Sequence, residues 1–214
     1  MTLLQIVNGV LRRMREDVVT TYNETAYSTL IEDFVNEAKR EVEDAWEWTK
    51  LRQTIQITTA SGTFRYVLTG AGDRYRIKQV FNDTEDASLI RGTYKQMNRW
   101  LNQNSQTNGI PNYFDINGQS GGDPQVDLYP KPGGIYVLNF NMVIPQADLA
   151  TAATELTVPD YPVLLLAHAK AISERGDDGS TQYAEVMGNA YKALGDAIAI
   201  DAANVPSEMV WYVA

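Results

Sequence analysis

His168 is the one histidine in the chain, and no cysteine accompanies it. Thiol nucleophiles, thiolate metal sites and disulfides are therefore excluded, and a histidine-based metal centre would have only carboxylates as co-ligands. No HExxH spacing supplies a second imidazole. His168 lies in the strongly apolar stretch Tyr161 to Arg175, where its reading is a satisfied core or interface histidine. Acids cluster at Asp33/Glu37, at Glu41/Glu43/Asp44 and at Asp177-Asp178. In helical or turn context such clusters read as solvated faces. Asp123 and Asp127 flank Pro124 beside a glycine-rich loop, a pair that calcium chemistry would use, but the EF-hand pattern is missing. Gly70-Ala71-Gly72-Asp73 resembles part of a phosphate loop without its Gly-Lys-Ser/Thr ending, and reads as a turn. There is no GxSxG elbow and no Ser-His-Asp set. The reading is not an enzyme, with no cofactor and no metal.

The elements around these groups are organised by Ala26 to Leu51. This stretch has no Gly or Pro and carries apolar residues at Tyr27, Leu30, Ile31, Phe34, Ala38, Val42, Ala45 and Trp46. Steps of three and four predict one apolar stripe along a helix, with Asn23 or Thr25 as N-cap. At 1.5 Å per residue its length comes to roughly 40 Å, too long to bury its stripe alone. Covering helices are available only near the chain ends: Thr2 to Asp17, Tyr161 to Arg175 with Asp160 as N-cap, and Thr181 to Ala199. Between them the period changes to two. Arg52 to Leu68 reads as a hairpin turning at Ser61-Gly62, and Arg74 to Asn82 and Ala87 to Arg91 as further strands. A helix over Thr93 to Gln103 precedes strands at Asn112 to Asn117, Gln125 to Tyr129 and Ile135 to Val143. The expected fold class is α+β: a helical bundle of N- and C-terminal helices (1–51 and 146–200) with an inserted antiparallel β module (52–145), then a tail (201–214).

With 44% hydrophobic residues among 214, the chain can build a core, and global disorder is excluded. Its net charge of −9 disfavours sequence-specific binding to phosphates, yet suits a wall that DNA slides past. Leu3 to Leu11 lacks the basic start and cleavage site of a leader, and no apolar run is long enough to span a bilayer. The tail cannot continue a helix past Pro206 and ends in Met209, Val210, Trp211, Tyr212 and Val213. Such a terminus inserts into a partner or packs on its own domain. Both readings stand.

A set of turns and aromatics extends this picture. The long helix ends Trp46-Glu47-Trp48 with Leu51-Arg52 following; then come Ser61-Gly62-Thr63-Phe64-Arg65-Tyr66 and Arg74-Tyr75-Arg76-Ile77. Later stand Gly109-Ile110-Pro111, Tyr113-Phe114 and Leu128-Tyr129-Pro130 with Pro132. Over roughly residues 26 to 200, the sequence resembles the head-to-tail adaptors of short-tailed bacteriophages, the tail tubular protein A type. The resemblance implies a structural virion protein made in the host cytoplasm. It would form a homo-oligomeric ring, a dodecamer, between the portal protein and the tail nozzle protein, with DNA passing through and no membrane contact. It also implies that the Met209–Val213 segment reaches the portal. A different class is a ligand- or carbohydrate-binding β module of a virion protein, with Tyr113, Phe114, Tyr129 and Tyr136 as a stacking platform.

Overall fold

A computed structural model describes residues 1–103, 108–176 and 179–205 of the chain. Its helices are α1 (Leu3–Arg13), α2 (Ala26–Ala45), α3 (Tyr94–Leu101), α4 (Asp160–Glu174) and α5 (Thr181–Ala203). The longer strands are β1 (Arg52–Thr58), β2 (Arg65–Val67), β3 (Arg76–Asn82), β7 (Tyr113–Ser120), β8 (Asp123–Tyr129) and β10 (Val137–Val143). Two-residue strands complete the set: β4 (Ala87–Ser88), β5 (Ile90–Arg91), β6 (Asn108–Gly109) and β9 (Lys131–Pro132). The class is α+β. The chain divides into two compact units, Met1–Leu51 with the chain from Gln146 onward, and Arg52–Pro145.

In the helical unit, α1, α2 and α5 each pack on α4. Leu3, Ile6, Val7 and Val10 of α1 and Ile31, Val35, Ala38 and Val42 of α2 lose all exposure, as their three- and four-residue spacing requires. On α4, ten residues from Pro162 to Ile172 are buried, because three helices surround it. Fully burying one leucine of this kind contributes about 1.5–3 kcal/mol. Gly9 lets α1 approach α4: a Cβ there would stand 2.9 Å from Leu164 Cδ1. Three of the four N-termini in this unit are closed locally. Thr2 and Thr25 form capping boxes with Gln5 and Ser28, and Ser180 accepts from the Tyr183 N–H.

Four helix limits differ from expectation. α1 stops at Arg13, since Arg15 enters the left-handed region at φ 59°. α2 stops at Ala45, where Trp46 turns extended, and a short 3-10 turn over Thr49–Leu51 follows. The N-cap of α4 is Pro159, without a side-chain hydrogen bond; Asp160 lies in the first turn, 3.3 Å from the N-terminal ammonium. α5 runs through Asp201, so the segment after Ala199 begins as helix.

The second unit has two four-stranded sheets, ordered β1-β10-β3-β4 and β2-β8-β7-β5. Leu138, Phe140 and Met142 of one sheet share a core with Phe114, Val126 and Leu128 of the other. The expected hairpin over 52–68 is not one: β1 pairs with β10 and β2 with β8. Alternation sets a strand's faces, and the partner is chosen by the whole sandwich. Ala87 to Arg91 likewise splits at buried Leu89, giving one short strand to each sheet. The long pairings are antiparallel, but β5 with β7 and β6 with β9 run parallel. Gly121 and Gly122, at φ 63° and 89°, make the tight turn between β7 and β8.

Candidate interaction sites

His168 is 7% exposed on α4, and its Nε2 has no hydrogen-bond partner among the described residues. Burial, with the Arg13 charge added, pushes its pKa below 6.5. Three acids of α2 are engaged. Glu37 and Glu41 share Lys170 at 3.2 and 2.7 Å, while Glu43 pairs with Lys39 at 3.0 Å with both side chains fully buried. Asp177-Asp178 lies outside the described residues. Asp123 accepts from the Gly72 N–H at 2.9 Å, so the glycine pair at 70 and 72 is a turn closed by that carboxylate. Asp127 receives the Arg65 guanidinium at 2.6 and 2.7 Å and the Asn117 amide at 2.8 Å. The suspected calcium pair is thus two separate structural carboxylates. Among the described residues, no three acids or histidines converge as metal ligands.

The four aromatics considered as a platform do not form one. Phe114 is 4% exposed and meets Phe140 edge-on at 6.0 Å in the core. Tyr136 is packed against that core too. Tyr113 and Tyr129 point to the opposite sheet face, where Trp100 of α3 lies 5.1 and 4.9 Å from their rings. Adjacent residues of a strand face opposite ways, so Tyr113 and Phe114 cannot share a surface.

A polar ladder on α2 escaped the sequence reading. Asn36 exchanges hydrogen bonds with the backbone of Leu149, Arg40 reaches Asp148, and Lys39 donates to the Gln146 carbonyl at 2.7 Å. Glu43 accepts from the Gln146 N–H at 3.1 Å. The buried ion pair therefore holds both backbone groups of one residue. Spacing alone shows these residues sharing a face, but not that an extended segment would run along it.

A second anchor lies at the C-terminal end of α5. Asp201 accepts from Trp46 Nε1 at 3.0 Å, from the Thr49 N–H at 3.1 Å and from Thr49 Oγ1 at 2.6 Å. Trp48 donates its indole N–H to the Val42 carbonyl at 2.7 Å. The tryptophans near the end of α2 thus serve packing, and one of them fixes the helix that leads to the tail. The candidate partner-binding residues Met209, Val210, Trp211, Tyr212 and Val213 lie outside the described residues.

A family model described as SU10 adaptor protein matches residues 1–209. The chain belongs to the SU10 adaptor protein family. Its membership agrees with the resemblance to phage head-to-tail adaptors, and makes it a structural adaptor protein of a phage particle. Proteins of such a family are in general not enzymes. No curated protein matches the sequence.

Cavities lie among the described residues of the helical unit. One, of about 520 Å³, is lined by Phe34, Leu166, Tyr183, Met187 and Tyr191 of α2, α4 and α5. Another, of about 310 Å³, lies between Trp48, Val158, Pro159 and Ile200, with Asn204 at its edge. No helix among the described residues is long and apolar enough to cross a membrane.

Proposed function

We propose that this adaptor is a ring-forming part of the head-to-tail junction, joining the portal to the tail nozzle around a passage for DNA. The match of the family model to residues 1–209 carries the reading. The net charge of −9 supports it, because an acidic inner wall lets DNA pass without retention. In this account twelve copies close the ring. The helical unit forms its body, the β unit meets the nozzle or the adjacent copy, and Met209–Val213 docks on the portal. Asp201 supports the last role by fixing α5 to the Trp46–Thr49 turn shortly before Pro206.

The test is a chain ending at Val205, compared with the full chain for co-sedimentation with purified portal. The truncated protein is expected to keep its circular dichroism spectrum and melting temperature while losing portal binding. Undiminished portal binding by the truncated chain would remove the tail from the account.

A further inference from the structure

The geometry points to an arginine-binding cleft in the β unit, in which Asp115 receives a guanidinium presented by another protein chain. The cleft is a cavity of about 350 Å³ between α3 and the outer face of the β2-β8-β7-β5 sheet. Three charges stand in one cross-strand row there: Arg65 of β2 opposite Asp127 of β8, and Asp127 opposite Asp115 of β7. Like charges directly opposite on an antiparallel pair repel unless each is compensated. Asp127 is compensated by the fork of Arg65 and by Asn117. Asp115 is 6% exposed, lines the cleft, and has no hydrogen bond or ion pair to its carboxylate among the described residues. Asp115 therefore faces the Asp127 carboxylate across the row with no cation of its own, and a cation entering the cleft relieves that repulsion.

The neighbouring groups favour a guanidinium over other cations. Asn117 directs its amide nitrogen to Asp127, and Asn102 directs its own to the Asn98 carbonyl. Both amides line the same cleft as Asp115, with their side-chain oxygens not engaged in a hydrogen bond among the described residues. A guanidinium carries five donors and no acceptor in a planar fork, and it stacks on aromatic rings. Tyr94, 62% exposed, lines the same cleft and supplies such a ring. The cleft's own cations are engaged within it by other groups: Arg65 by Asp127, and Lys131 by the Phe64 ring at 5.2 Å. The row already shows the expected pairing once, at Arg65 and Asp127, and the incoming arginine repeats it on the next strand. This site rests on the β unit alone and not on the portal reading.

The test is titration of the full isotopically labelled chain with L-argininamide, and with the neutral isostere citrullinamide, followed by amide NMR shifts. Saturable shifts at Asn98, Asp115 and Asn117 are expected with argininamide and not with citrullinamide. Asp115→Asn should weaken the binding at least about tenfold, a change of about 1.4 kcal/mol, and should raise the melting temperature by removing the uncompensated charge. Asp127→Asn should lower the melting temperature. No saturable shift in the parent chain, unchanged binding by D115N, or destabilisation of D115N comparable to that of D127N would each overturn the assignment. Sedimentation of D115N then identifies the source of the arginine. Weaker self-association assigns it to a second copy, and unchanged self-association with argininamide binding lost assigns it to a different chain.

Discussion

Lys39 and Glu43 are the charged pair on which the helical unit depends most directly. Both side chains are fully buried, and between them they bind the N–H and the carbonyl of Gln146. Removing one partner leaves a buried charge, which costs about 3–5 kcal/mol. Lys39→Met should therefore lower the unfolding free energy by that amount in urea titrations, and Lys39→Met with Glu43→Leu should recover a large part of it. His168 sets a pH dependence at the same scale. Its folded pKa lies below 6.5, so between that value and 6.5 the unfolded chain binds a proton that the folded chain does not. The stabilisation by neutral His168 is complete above pH 6.5 and is lost as pH falls through the window. Urea midpoints of the parent chain should fall from pH 7.5 to pH 5.5 more steeply than those of His168→Leu. Equal slopes would show that other groups set the acid response.

At the scale of elements, Asp201 ties the last turn of α5 to the turn after α2. Hydrogen bonds to a charged acceptor contribute about 1.5–3 kcal/mol each when they are well formed, though not additively. Asp201→Ala should cost about 2–3 kcal/mol and raise amide hydrogen exchange along the last two turns of α5, leaving α1 and the β unit unchanged. Protection of α5 equal to that of the parent would deny the anchor its role. Much at this scale was legible in the sequence. The apolar stripe from Tyr27 to Trp46, the cap at Thr25 and the switch of period at Arg52 give the α+β class and the main helices. What escaped has a physical reason. Alternation fixes which face of β1 is inward but not that β10 is its neighbour, so a sandwich crossing was read as a hairpin. Trp46 and Trp48 fit a helical stripe, but the helix stops before them, with Trp46 bonded to Asp201 and Trp48 to the Val42 carbonyl, partners that local spacing does not reveal. The cross-strand row of Arg65, Asp127 and Asp115 depends on register, which no local pattern reveals.

At the scale of the whole molecule the sequence nominates no chemistry; a pattern of turns and aromatics resembles the phage head-to-tail adaptors, and a family model matches residues 1–209. That pattern speaks to what the chain belongs to; its assembly state is a property of surfaces, and single-chain periodicity does not encode it. The β unit brings charge compensation left open at Asp115, and the helical unit brings an anchored α5 before the tail. Both are features expected of a part completed by its neighbours. The most direct test of the ring account is native mass spectrometry of the full chain, alone and with purified portal complex. The account predicts a closed ring of twelve copies on the portal. A chain that remains monomeric and unbound in the presence of portal would contradict it.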